Sequence, residues 1–330
     1  MIRSANHSSY PRIGDSPWDQ ELRRIARERD AGRVDGTAVG LVEDEVAAMV
    51  VAEQSRAFVD VVTDGQVRWS GPLSHVASRL DGVGLDGLVR WFETGLYDRR
   101  PVVERPIVRS RPILVRDAQQ ALDVRPKALK VVLPGPVSLA RAARDRCYGD
   151  RTALARAFGA ALAEEARDLA AAGVTILQLD EPMLCRHPDD AELVAETAAR
   201  VFDAAGPHAI TILSTYFGDL APHADDLARL PGTHLGLDLV HTAGNWPLLA
   251  KLPDGRGLHL GLFDARTTRI ESAGEISERI APYREILMAR DVMIGPQCGL
   301  ELIPRHAAFD KLLQSRYLRE NLQTEWRWRS

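Results

Sequence analysis

Cysteine is scarce in this chain: Cys147, Cys185 and Cys298 are the only three among 330 residues, with no paired spacing. Three thiols so placed build no disulfide framework, which fits a reducing cytoplasm. Long apolar runs are missing, since no stretch approaches the roughly 18 consecutive residues of a membrane span. The opening MIRSANHSSYPRIG has no apolar core of the kind a secretory leader needs. An excess of positive charge is missing as well. Lys and Arg number 42 against 46 Asp and Glu, scattered among one another, which argues against a nucleic-acid or anionic-membrane surface. No glycine-rich phosphate loop is found, so nucleotide cofactors are not expected. No low-complexity tract or long linker divides the chain. The expectation is a cytoplasmic protein that forms one domain over residues 1–330 and acts on a small molecule.

What is present is an alternation of short apolar runs and long helical patterns. Strands are expected at 57–65, 129–136, 174–182, 209–219, 234–241, 258–265 and 292–299, with SYPRIG supplying a first strand. Helices are expected at 151–173, with Gly173 as the stop, at 189–206, and at 272–289, where Ser272 and Glu275 form a capping box. Strands separated by helices imply right-handed βαβ units and a parallel sheet, and a count near eight favours a TIM (β/α)8 barrel. Residues 81–128, rich in Arg, Pro and aromatics, read as an insertion in the form of a hairpin or lid.

In such a barrel, polar residues at the C-terminal ends of strands build the active face. That rule selects Asp64, Gln66, Asp180, Glu181, Tyr216, Asp219, Asp238, His241, Asp264 and Cys298. Several of them are also residue types that cap helices or make Asx turns after strands. His187 follows LDEPMLCR and could serve as an acid or base beside Asp180 or Glu181. His7, His75 and His306 fall on the same face, whereas His208 and His234 start strands and face the other end. Arg99 and Arg100 could clamp a carboxylate or phosphate, although a solvated hairpin with surface ion pairs explains them better.

The stretches SSYPRIG (8–14), VVTDGQVRW (61–69), LPGPVSLA (133–140), AGVTILQLDEPML (172–184), STYFGDL (214–220), GLFDARTTRIES (261–272) and IGPQCGLELIPRHAAFDKL (294–312) stand in one order over nearly the whole chain. Together they resemble the cobalamin-independent methionine synthase family, in its short single-barrel form. The resemblance implies a barrel enzyme that moves a methyl group, typically from a methylated folate, to a thiol such as homocysteine. It also implies a zinc ion that keeps the thiol deprotonated. Typical ligands are a His-x-Cys pair, a Glu and a Cys. Here the matching positions are Ser214 and Tyr216, Asp238, and Cys298 in PQCGL. For the amino acid, Ser9 matches a carboxylate contact and Asp180 an acid near the amino group, while Gln66 replaces a carboxylate. Tyr216 and Asp264 complete the expected substrate contacts. Of two pterin contacts, the aromatic falls on Ala142 and the glutamate on Arg186.

A substitute zinc site could draw on Asp238, His241 and Cys298, with Gly244 and Asn245 allowing the turn that brings His241 round. Catalytic groups are then Asp180, Glu181 and His187, and a protein carrying the methyl donor is a further expected partner. Two other readings stand beside this one. The first is a diverged, zinc-free barrel enzyme doing acid–base or lyase chemistry on a small acidic substrate. The second is a homologue that binds without catalysing.

Overall fold

The computed structural model describes residues 1–92, 95 and 97–326. Its strands are β1 (Ile2–Ser4), β2 (Val62–Thr63), β3 (Asp81–Arg90), β4 (Tyr97–Val108), β5 (Leu129–Pro134), β6 (Arg144–Asp145), β7 (Ile176–Asp180), β8 (Ile210–Ser214), β9 (His234–Asp238), β10 (Gly257–Phe263) and β11 (Val292–Pro296). The α-helices are α1 (Glu21–Asp30), α2 (Gly36–Arg56), α3 (Ser74–Ala77), α4 (Val115–Asp123), α5 (Pro136–Ala142), α6 (Arg151–Ala171), α7 (Ala191–Ala205), α8 (Ala273–Ile280), α9 (Arg284–Met288) and α10 (Arg305–Glu325). This is a mixed α/β fold. Eight strands form one sheet in the order β1-β11-β10-β9-β8-β7-β5-β2, and β3-β4-β6 form a second. Within the large sheet, β1 with β11, β2 with β5, β7 with β8 and β8 with β9 pair in parallel. Strands β5, β7, β9, β10 and β11 are buried at every residue, as near-continuous apolar runs in a parallel sheet covered on both faces should be.

The chain groups into two compact units. The first comprises residues 1–68, 117–130 and 260–330, the second 69–116 and 131–259. In the first, β1 is Ile2–Ser4, so the first strand precedes SYPRIG, which was expected to supply it. Pro11 has no N–H to offer a ladder, and the segment meets the sheet as an isolated bridge between Ser9 and Gly65, with the Tyr10 N–H 3.0 Å from the Gly65 carbonyl. Further hydrogen bonds link the start of the chain to residue 61, from Val61 N–H to the Ser4 carbonyl and from Asn6 N–H to the Val61 carbonyl, both 3.0 Å. The expected helix over 272–289 starts with its capping box intact, but it breaks into α8, a short 3-10 turn and α9. Pro282 inside the pattern supplies no N–H and interrupts the ladder.

In the second unit, α6 and α7 occupy the lengths their periodicity predicts. Leu154, Phe158 and Leu162, four residues apart on α6, are all buried. The insertion is smaller than 81–128. Only 81–108 forms the antiparallel hairpin of β3 and β4, while 115–123 is the helix α4 leading into β5. The tail of the hairpin is pinned where the buried Glu165 carboxylate accepts from Arg109 Nε (2.6 Å) and from the Ile113 and Leu114 backbone N–H groups (2.9 and 2.7 Å). Glu93, Thr94 and Leu96 of the WFETGLYDRRP stretch lie outside the described residues. No described helix is long and apolar enough to cross a membrane.

Candidate active site

The second unit gathers polar residues at the C-terminal ends of β7, β8 and β9. Asp180 ends β7 and is almost fully buried. Its carboxylate accepts from Gln178 Nε2 at 2.7 Å and from the Tyr216 hydroxyl at 3.2 Å, so two neutral donors orient it. Glu181, the next residue, turns the other way. Its oxygens accept from the Val137 and Ser138 backbone N–H groups (2.9 and 2.8 Å) and from Ser138 Oγ (2.6 Å). The carboxylate therefore caps the first turn of α5 from outside, where the N–H groups after Pro136 lack helical partners. A side chain on Gly135 would collide with it, which explains the glycine of LPGPV. Burial pushes the Glu181 carboxyl up to about 7 against the pull of these donors. His187 stands apart in the short turns after β7, and burial together with the Arg141 guanidinium lowers its pKa.

The loop after β8 is tied to the loop after β9. Asn245 is buried; its Oδ1 accepts from Leu220 N–H at 2.8 Å and its Nδ2 donates to the Asp238 carbonyl at 2.8 Å. Asp219 closes its own turn onto Ala221 N–H at 2.7 Å and packs against Gly244, where a side chain would strike its carboxylate. Trp246 anchors the same segment by donating to the Leu239 carbonyl at 3.2 Å. This tied loop presents Tyr216 and Phe217. Phe217 has φ +62° and Phe92, at the hairpin tip, φ +55°, a left-handed backbone that costs a bulky residue on the order of 1–3 kcal/mol. Their rings meet at 5.4 Å, and the Arg186 guanidinium lies 5.4 Å from the Phe92 ring centre.

Asp238 ends β9 with its side chain wholly buried. Its Oδ1 accepts from the Val240 and His241 backbone N–H groups at 2.9 and 3.3 Å, the turn expected of an Asp after a strand. Burial raises its pKa. The Cys185 thiol, beside Thr215 and Asp238, is pushed up to about 12 by burial and stays protonated. His241 is exposed on the loop. Among the described residues, no group of three or more His, Cys, Asp or Glu side chains is arranged to hold a metal ion. Asp238 and His241 thus share a turn through the backbone and lack a third donor of that kind in their own unit.

In the first unit, Ser9 donates its hydroxyl to Glu301, a partner the CGLELIP segment supplies and sequence reasoning passed over. Gln66 follows Gly65, and both have left-handed backbone, at φ +54° and +72°. Asp64 before them is pushed up to about 7 by burial and by the nearby Asp117 charge. Asp264 Oδ1 accepts from Arg266 N–H (2.9 Å) and from Gln297 Nε2 (3.1 Å), the residue just before Cys298. Cys298 is buried, its thiol 3.7 Å from the Gly299 carbonyl. Of the remaining histidines, His306 pairs with Asp15 at 2.7 Å and His7 lies against Ser8 at 3.0 Å. Besides the Ser9–Glu301 pair, sequence reasoning missed the Glu181 cap, the Asn245 tie and the Phe92–Phe217 pair. Only the Gly-Asn turn had any local signature.

A parallel α/β sheet with acids and a tyrosine at its strand ends defines the class, a small-molecule enzyme of the type built on such sheets. Comparison narrows that class. The model of the family "Cobalamin-independent synthase, Catalytic domain" matches residues 10–320, and the chain belongs to that family. It is 27% identical over 318 residues to a methionine synthase of Sulfurisphaera tokodaii, covering 95% of this chain and 93% of that one. It is 26% identical to a methionine synthase of Pyrococcus abyssi, with 96% and 94% covered. Among solved structures, a B12-independent methionine synthase from Shewanella sp. W3-18-1, in complex with selenomethionine, shares the fold with a TM-score of 0.84 at 20% identity, covering 98% of each chain. The chain is accordingly a methyltransferase-type enzyme of the methionine-synthase family, and the comparisons do not favour the lyase or non-catalytic readings.

Proposed function

We propose that this protein transfers a methyl group to the sulfur of a small thiol, with homocysteine the acceptor its relatives' name implies, and that it does so as a single (β/α)8 barrel over residues 1–330. The parallel strand order and the hydrogen bonds from residues 4–6 to residue 61 support the barrel. The observation that carries the function is Asp180. A carboxylate of the LDEP stretch is held at a strand end by Gln178 and Tyr216, in a chain whose relatives are named methionine synthase. In this reading Asp180 receives the ammonium of an amino-acid acceptor and Tyr216 fixes the carboxylate's angle. Ser9, Gln66 and Asp264 are proposed as further substrate contacts, and His187 as a proton carrier. Glu181 acts from behind, since its cap fixes the start of α5, whose N-cap is Gly135.

The family implies zinc, and the residues do not fit it. Ser214 and Tyr216 are an alcohol and a phenol where an imidazole and a thiolate are expected, and the phenol is engaged with Asp180. The pterin contacts of the family are not reproduced either: Ala142 offers no ring face, and Arg186 is a cation beside Phe92.

Replacing Asp180 by Asn keeps the shape and removes the charge. Losing a charge-assisted hydrogen bond of about 1.5–3 kcal/mol should lower kcat/KM for thiol methylation roughly 10- to 150-fold, chiefly through KM for the acceptor. Methylated product would be followed by mass spectrometry with a panel of methyl donors and thiols. A folded parent that methylates no thiol in the panel would overturn the proposal.

A further inference from the structure

We infer that this chain binds no zinc through the strand-end positions of its family, because the loop that should supply the ligands has been rebuilt as a hydrogen-bonded aromatic turn. The inference deepens the methyltransferase reading, but metal content tests it without any activity measurement.

Zinc in such a site takes thiolate, imidazole or carboxylate donors, and it needs their lone pairs free and converging. In the second unit each position fails for its own reason. Ser214 is buried at the end of β8 in register with Gly236, and its side chain packs over that glycine, where a Cβ would overlap it. A neutral alcohol there offers zinc a weak donor. Tyr216, two residues on, uses its hydroxyl as a donor to Asp180, and a phenol deprotonates only near pH 10. Asp238 is one methylene shorter than the glutamate it replaces. Its Oδ1 is committed to the N–H groups of Val240 and His241, and its Oδ2, buried without a hydrogen bond, belongs to no group of three His, Cys, Asp or Glu side chains that could hold an ion among the described residues.

The replacement is a built structure and not a loosened one. Thr215 Oγ1 donates to the Gly236 carbonyl at 3.0 Å, and Asn245 ties residue 220 to residue 238. Phe217 is held in a left-handed backbone with its ring 4.8 Å from Tyr216 and 5.4 Å from Phe92. Strain of that kind persists only where the surroundings over-determine it. Moving Tyr216 aside to admit an ion would break its bond to Asp180 and disturb the Phe217 packing together.

The test uses the full-length chain expressed with added zinc, dialysed, and assayed for metal by mass spectrometry. The parent should retain well under one zinc per chain. The triple variant Ser214→His, Tyr216→Cys, Asp238→Glu, with Cys298 kept, should rise toward about one. Circular dichroism confirms that each variant is folded. Zinc retained by the parent and lost in either Cys298→Ala or Asp238→Asn overturns the inference. Zinc that survives both substitutions lies elsewhere and supports it. A folded triple variant that stays metal-free overturns the assignment of the loss to these three positions. Thiol methylation is scored separately, so its absence counts against the function and leaves the metal result standing.

Discussion

Glu181 is fully buried, and a buried carboxylate survives only if hydrogen bonds offset its lost hydration. It has three such bonds, all to the first turn of α5, and its pKa is still pushed up to about 7 from the ordinary 4.5 by burial. The folded chain then holds a proton that the unfolded chain releases between those values. Stability linked to this group is fully present below pH 4.5 and is lost as the pH rises through 7. Glu181→Gln removes the titration. The stability of the parent relative to this variant should therefore decline by on the order of 2–3 kcal/mol between about pH 4 and 8, read from urea unfolding at each pH. A difference that stays flat, or grows with pH, would show that the donors win over burial and keep Glu181 ionised throughout. Sequence reasoning placed Glu181 beside Asp180 as a second catalytic acid because neighbours in a strand-end motif look alike in a string. Consecutive residues there point to opposite sides, and only coordinates separate the two roles.

Between residue and fold lies the pair of loops after β8 and β9. The segment LGLDLVHTAGNW looked like a metal site because Asp238 and His241 flank a turn. In the structure its Asn245 side chain joins the Leu220 N–H to the Asp238 carbonyl. Truncating it leaves a buried donor and a buried acceptor without this partner, each worth about 1–3 kcal/mol. Asn245→Ala should destabilise the protein by about 2–4 kcal/mol in denaturant melts and raise KM for the thiol acceptor as Tyr216 loses its footing. A destabilisation with an unchanged KM would separate the tie from the site. Long periodic helices such as α6 and the capping box of α8 were legible because their signals are local. The three-residue β1, the helical identity of 115–123 and the Asn245 tie were not. The first is too short for a period, the second was masked by neighbouring Pro and Arg, and the third depends on a partner 25 residues away.

Across the molecule the two sheets differ in how much of their surface they bury, and that difference predicts where the protein opens first. Parallel order and strand-helix alternation were readable from the pattern of apolar runs, because strands covered on both faces must be apolar throughout. The hairpin of β3 and β4 has no such constraint. It is half exposed along its length, with Leu88 and Tyr97 at 68% and 61% exposure, and it carries much of the Arg-rich stretch. Local opening follows buried apolar contact, so this hairpin belongs to the low-stability end of the second unit. In the same unit β7 and β9 are buried at every residue and β8 at all but its first. Hydrogen–deuterium exchange followed by mass spectrometry should show peptides over 84–90 exchanging at least about 100-fold faster than those over 176–180, 210–214 and 234–238. Because Phe92 sits at the tip of that hairpin and meets Phe217, a bound ligand that stacks there should slow exchange at the tip more than in the central strands. Equal protection of hairpin and sheet without ligand would contradict the argument, since it would require an apolar cover over Leu88 and Tyr97 that their exposure denies.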